Sequence, residues 1–274
     1  MIFNVILLIL ALSIDLLTFF LTGLYQYIAF IWVPFIALPI LFVLLFGVEL
    51  LFFLIWSLFI NKKKEIEKPS NFYAFIVNQV TYQLVFFSRT KSTASGLDKL
   101  PKNTNYVILF NHLSNFDHMC MIVKLHINKI ICVSKKGNEK IPIAGAFIHN
   151  AGYISFDRED KSSSANAAIK AIRCLRNYHY TVAIAPEGTR NKERKETLLP
   201  FHEGCFKIAT KSHKPIVISV IKNTFMIHKN FPFKGTKVIF KIIETIPYEK
   251  YSTMEIDELK NYCYQVMKNE LEAN

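Results

Sequence analysis

Residues 107–119 read VILFNHLSNFDHM. An apolar run, Val107 to Phe110, stops on Asn111-His112, and a carboxylate, Asp117, follows close behind. On a continuous helix, residues five apart lie roughly 140° out of phase, so His112 and Asp117 could not meet there. At a turn from a strand into a helix they can, with His112 on the loop, Asp117 in the first helical turn and Ser114 or Asn115 as the cap. The carboxylate would then accept Nδ1–H, fix the tautomer and leave Nε2 as a base. The stretch therefore reads as strand, turn and helix, with a proton-transfer pair at the turn. Taken alone the spacing is weak evidence, because such pairs occur by chance.

Outward from this stretch the same alternation recurs. YVILF (106–110), KIICV (129–133), YISF (153–156), TVAIA (181–185), PIVISVI (215–221) and KVIFKII (237–243) read as strands. SSSANAAIKAIRCLRN, GCFKIATKS and MEIDELKNYCYQVMKNELE read as helices, the first with serine caps. Strands alternating with helices predict an α/β domain, a mixed, largely parallel sheet flanked by helices. The glycines form neither a G-x-G-x-x-G nor a Walker pattern, which argues against nucleotide-driven chemistry.

The first 60 residues have a different character. They hold no Lys or Arg, and Asp15 and Glu49 are their only acids. The rest of the chain carries all 33 basic residues and a formal charge of +14, against +12 for the whole. A helix needs about 20 apolar residues to cross a bilayer core. Residues 2–25 supply one such run, and 27–60 supply a longer one that Pro34 and Pro39 should break, leaving 40–60 as the span and 28–39 as a re-entrant or interfacial piece. The first run lacks the basic start and cleavage site of a signal peptide. NKKKEIEK (61–68) follows, and the positive-inside rule puts it and the domain behind it in the cytoplasm.

The expected organisation is thus an N-terminal transmembrane helical segment (1–60, two helices), a juxtamembrane amphipathic helical region (61–91) and a cytoplasmic α/β domain (92–274), in an integral membrane protein with its catalytic part on the cytoplasmic face. Asp15 and Glu49 would lie near a helix end or inside a helix pair. In FYAFIVNQVTYQLVFF (72–87), Tyr73, Ile76, Val80, Leu84 and Phe87 form an aromatic helix face, which packs on the domain or lies among headgroups. The five scattered cysteines suggest neither zinc nor a redox dithiol, and no metal site is expected. An anionic lipid surface accounts for the basic charge with less than nucleic acid would need, and no nucleic-acid partner is expected.

Three further stretches can carry chemistry. AGYISFDRED (151–160) ends a short strand on Asp157-Arg158, whose plainer reading is an exposed, salt-bridged arginine. AIAPEGTRNK (183–192) runs a strand into a loop that presents Glu187 and Arg190, and in open α/β sheets ligands bind at such strand ends. The planar fork of arginine suits a phosphate. LPFHEGCFKIA followed by KPIVISVI would wall the same cleft.

NHLSNFD, GYISFDR, PEGTR and KPIVISV, in this order, resemble the four signature blocks of the glycerophospholipid acyltransferases, above all the bacterial 1-acylglycerol-3-phosphate branch. The resemblance covers about residues 92–245, including SGLDKLPKN ahead of the first block. It implies transfer of an acyl chain from a thioester of acyl carrier protein or coenzyme A to the free hydroxyl of lysophosphatidate, giving phosphatidate. His112 would be the general base and Asp117 its orienting partner. Arg158 and Arg190 would hold the phosphate, Glu187 and Gly188 would shape the glycerol site, and Thr189 joins them as substrate-binding. No cofactor beyond the thioester cosubstrate is implied; the expected partners are the two substrates, the bilayer and acyl carrier protein.

Two features depart from the pattern: Ile218-Ser219 stand where small apolar residues are usual, and FHEGCF replaces a more basic stretch. The alternatives are a sister acyltransferase using glycerol 3-phosphate or another lysophospholipid, a thioesterase in which His112 activates water or Cys205, and, remotely, a membrane-anchored lipid-binding protein without catalysis.

Overall fold

A computed structural model describes residues 1–27, 30–126, 129–157, 160–194 and 197–273. They fall into two compact units, Met1–Asn61 and Lys62–Asn274.

The first unit is a pair of helices, α1 (Ile2–Leu21) and α2 (Val33–Leu58), each long and apolar enough to cross a membrane. At 1.5 Å per residue, α1 is about 30 Å long, the thickness of a bilayer core. Asn4, Leu7, Ala11 and Asp15 recur at helical spacing and are buried, so Asp15 lies on the buried stripe of α1. Phe3 of α1 meets Phe53 of α2 with ring centroids 5.8 Å apart. The expected break at Pro34 and Pro39 does not occur. Pro34 sits in the first turn, where its missing N–H would have no partner anyway. Pro39 forfeits only the bond to Phe35 in the next turn, and the helix runs on through it.

The second unit is the α/β domain. Its elements in chain order are α3 (Asn71–Phe87), β1 (Thr90–Ser95), β2 (Val107–Leu109), α4 (Phe116–Leu125), β3 (Ile130–Lys135), α5 (Ala144–Asn150), β4 (Ile154–Phe156), α6 (Lys161–Arg176), β5 (Thr181–Ile184), α7 (Gly204–Ser212), β6 (Ile216–Lys222), α8 (Met226–Asn230), β7 (Thr236–Ile246), α9 (Tyr248–Tyr251) and α10 (Ile256–Glu272). The sheet order is β1-β7-β6-β2-β5-β3-β4. Every pairing is parallel except β6 with β7. The mixed, largely parallel sheet flanked by helices is the fold read from the alternation.

The central strands are apolar on both faces, as a doubly covered sheet requires. Leu109, Val182 and Ile218 pack with Leu175 of α6, Phe206 of α7 and Met267 of α10. Ile108, Ala183 and Val217, their neighbours along the strands, face the other way onto Met121 and Ile122 of α4.

Two elements differ from expectation. The polar strand β1 (TKSTAS) has no apolar signal; it is held at the sheet edge by its parallel register with β7, Thr90 opposite Thr236. Helix α3 packs on α4 and α5 with part of the expected stripe: Ile76 is buried and Tyr73 meets Phe147 of α5 with ring centroids 6.0 Å apart, whereas Leu84 is exposed. Its buried face includes Asn78, Gln79, Thr81 and Gln83, and Phe72, Leu84 and Phe86 point outward.

Candidate active site

β2, β5 and β6 lie side by side in the middle of the sheet, β2 paired to both others. Each ends in a loop at the same edge, because all three are parallel, and these loops carry the polar residues. The loop after β2 brings Asn111 and His112, the loop after β5 brings Glu187 to Arg190, and the loop after β6 brings Thr224.

Asn111 continues β2 by side chain where the strand itself stops. Its Nδ2 donates to the Ile221 carbonyl at 2.9 Å, and its Oδ1 accepts from the Ile221 N–H at 2.7 Å. Just before this, the β6–β7 register shifts between Ile218 and Ser219, with Ile243 of β7 as the extra residue, and the Ser219 hydroxyl donates to the Leu109 carbonyl at 2.7 Å. The two residues that depart from the usual block thus sit opposite a bulge in β7.

The chain then turns into α4. The Ser114 hydroxyl accepts from the Phe116 N–H at 2.9 Å, which closes the turn. Asp117, in the first helical turn, is fully buried. Its Oδ2 accepts from His112 Nδ1 at 2.8 Å and from the N–H groups of Leu113 and Ser114, each at 2.8 Å. Its Oδ1 accepts from the Thr224 hydroxyl, which is also fully buried. An acceptor-only carboxylate on Nδ1 puts the proton there, which leaves Nε2 as an acceptor. The imidazole is 22% exposed, and its Nδ1 side is the one held against the buried Asp117.

The loop after β5 braces the histidine from the other side. Glu187 is 2% exposed; its two oxygens accept from the N–H of His112 at 2.6 Å and of Leu199 at 2.9 Å. Burial pushes this carboxyl above its ordinary range, and the two main-chain donors pull it back. Glu187, expected to shape a glycerol site, is tied into the main chain by both oxygens. Gly188 has φ +63°, and a Cβ there would stand 2.7 Å from Cδ2 of His202. Thr189 is exposed and Arg190 half-buried, three residues beyond Glu187 on the same loop. The Asn191 N–H donates to the His112 carbonyl at 2.8 Å, so the two loops are stitched on both sides of the histidine. Arg158 lies outside the described residues.

Among the described residues, then, His112, Asp117 and Glu187 come together, Gly188 forms the turn beside them, and Thr189 and Arg190 sit further along the loop. Thr224 and Asn111 belong to the same cluster, and sequence reasoning did not single them out. The one signal for Asn111 was its place between the strand and His112; Thr224 gave none. His118, next to Asp117, is pushed down to about 4 by burial, which Asp117 only partly offsets. It is neutral at any ordinary working pH. Cys205 is buried and donates to the His202 carbonyl at 3.3 Å, and burial pushes its thiol up to about 12. Burial and the raised thiol both weigh against the thioesterase variant built on Cys205.

Residues 91–222 match the acyltransferase family model. Over that span, just under half of its length, the chain is similar to the acyltransferase family. The matched span runs from β1 to the end of β6 and holds every candidate side chain except Thr224.

Two bacterial proteins to which the chain is similar carry the name 1-acyl-sn-glycerol-3-phosphate acyltransferase. That of Haemophilus influenzae is 28% identical over 165 residues, 60% of this chain and 68% of the relative. That of Borreliella burgdorferi is 28% identical over 186 residues, 67% of this chain and 72% of the relative. The fold is also that of a crystal structure, the 1-acyl-sn-glycerophosphate (LPA) acyltransferase PlsC from Thermotoga maritima. The TM-score is 0.60 with 22% identity, over 81% of this chain and 86% of that one.

Proposed function

We propose that this protein is an acyltransferase that moves an acyl chain from a thioester to the free hydroxyl of 1-acylglycerol 3-phosphate, with His112 as general base. The observation that carries the reading is the buried Asp117 on Nδ1 of a partly exposed histidine, 2.8 Å away.

The acceptor's hydroxyl oxygen attacks the thioester carbonyl carbon as Nε2 takes its proton. A C–O bond forms and the C–S bond breaks. The sulfur leaves with the electron pair and takes the proton from the imidazolium. The products are an ester, phosphatidate, and a free thiol. A thiol of ordinary pKa about 8.5 leaves readily, so no strong acid is needed at that step. Asp117 stabilises the imidazolium that forms and holds the ring in one orientation. Glu187 acts one step back, by fixing the His112 main chain.

Arg158 and Arg190 are proposed for the acceptor's phosphate, and Thr189 for the rim of the same pocket. The donor is acyl-coenzyme A or acyl carrier protein, and the basic surface of residues 62–274 suits either, since both are acidic. α1 and α2 are proposed to hold the protein in the membrane with residues 62–274 on the cytoplasmic side, the side favoured by the Lys62-Lys63-Lys64 cluster.

The test incubates detergent-purified full chain with labelled lysophosphatidate and each donor in turn, beside His112→Ala and Arg190→Ala. Phosphatidate is expected from the wild type, and His112→Ala should be about 10²- to 10⁴-fold slower. Full activity in His112→Ala would remove the mechanism. Product from lysophosphatidylcholine but not from lysophosphatidate would move the acceptor to a sister enzyme.

A further inference from the structure

The C-terminal end of α3 and the segment that links α8 to β7 meet at one edge of the α/β domain. Arg89 joins them: its Nη1 donates to the carbonyls of Pro232 at 3.3 Å and Phe233 at 3.1 Å, and its own carbonyl accepts from the Thr236 N–H at 3.3 Å. Gly235 passes so close beneath that a Cβ there would stand 2.8 Å from the Arg89 carbonyl. The aromatic tip is therefore a built feature, clamped to the end of α3. What the clamp presents is apolar: Phe86 is 55% exposed, Phe231 53% and Phe233 89%.

Around these rings the charge has one sign. Lys91 and Lys237 are register partners on β1 and β7, both exposed, and Lys234 stands exposed beside Phe233. Like charges on paired strand positions repel, so the pairing is costly until an anion is near. No acidic residue occurs between Glu67 and Asp98, or between Glu203 and Glu244, the two stretches that build this edge. Exposed aromatic rings ringed by lysines fit the headgroup zone of an anionic bilayer, rings at the apolar boundary and ammonium groups at the phosphates.

We infer that the edge made by Phe86, Phe231 and Phe233 with Lys91, Lys234 and Lys237 docks on the surface of an anionic lipid bilayer. This contact is formed by the α/β domain itself, in addition to whatever α1 and α2 do. It also bears on the site, because the docked tip and Thr224, the partner of Asp117, lie within one short segment of chain, residues 224–233.

The experiment uses the full chain. All five cysteines are buried, with thiols raised by burial, so a cysteine introduced at an exposed position takes a polarity-sensitive fluorophore selectively. Phe233→Cys reports on the tip. Thr253→Cys, exposed beyond the far end of β7 and about 30 Å along it, is the control. Each protein is reconstituted into phosphatidylcholine vesicles with and without phosphatidylglycerol, containing lipid with a nitroxide on its acyl chain.

With phosphatidylglycerol, the label at 233 should shift to the blue and be quenched severalfold more than the label at 253. Lys91→Glu, Lys234→Glu and Lys237→Glu together, in the Phe233→Cys background, should lower that quenching severalfold. Equal quenching at 233 and 253 would overturn the inference, as would quenching that ignores the charge reversals. A blue shift without quenching would also overturn it, since the tip would then lie against protein, such as a second copy of the chain. The readout is fluorescence, so the result stands apart from whether the proposed acyl transfer is right.

Discussion

At the scale of single residues, the site is an arrangement of donors around one carboxylate. Asp117 receives His112 Nδ1, two main-chain N–H groups and the Thr224 hydroxyl. The Thr224 bond restrains the carboxylate from outside its own turn, so Thr224→Val should let it rotate and blur the imidazole's aim. The expected result is kcat lower by about tenfold, about 1.4 kcal/mol in the barrier, with KM unchanged. Thr224→Ser should restore it, and a KM effect without a kcat effect would count against this role. His118 makes a separate prediction about pH. Burial holds its folded-state pKa near 4, below an unfolded value of about 6.5. The unfolded chain therefore binds the proton first as pH falls, and the stability that His118 contributes above about 6.5 is lost on the way down to about 4. His118→Gln should flatten that part of the stability profile. Thermal midpoints of both proteins across this range check it, and parallel profiles would show that His118 does not titrate in this way.

At the scale of elements, the sequence was informative wherever burial leaves a pattern and silent elsewhere. The six strands expected from apolar runs are all present; β2, β5 and β6 are the plainest, because strands buried on both faces need continuous apolar side chains. β1 was illegible for the same reason reversed: TKSTAS lies at the sheet edge and owes its place to the register with β7, a long-range contact. Pro39 misled because a proline early in a helix removes a single bond, which a long apolar helix tolerates. The turn between β2 and α4 was readable, since His112 and Asp117 had only one local geometry in which to meet. Thr224 and Asn111 act across more than 100 residues of chain, which no local spacing reveals. Asn111 is the clearest case at this scale, because its side chain carries the β2–β6 ladder past the last strand residue. Asn111→Ala leaves the Ile221 N–H and carbonyl buried and unpaired. It should cost about 2–4 kcal/mol, on the order of 1–3 for each orphaned group less relaxation. Denaturant unfolding in detergent measures this, and a loss below about 0.5 kcal/mol would mean that water or another group takes over the bonds.

At the scale of the whole molecule, the two units solve different solvation problems. Around α1 and α2 most apolar side chains of the described residues are exposed. The unit from Lys62 to Asn274 buries its own sheet on both faces and contains all the described candidate residues. A chain cut to residues 62–274 should therefore fold, with a mixed α/β circular dichroism spectrum and one cooperative melt. Its membrane attachment should differ in kind from that of the full chain. A spanning helix is held by apolar transfer, which salt does not weaken. An aromatic and basic edge is held partly by charge, and at 1 M salt screening shortens the reach of that attraction to about 3 Å. Sedimentation with anionic vesicles separates the two cases. The full chain should stay with the lipid through a high-salt and alkaline wash, and residues 62–274 should bind at low salt and be released at high salt. Release of the full chain by salt would show that α1 and α2 do not hold the bilayer. Failure of residues 62–274 to melt cooperatively would show that the α/β domain is not an independent folding unit.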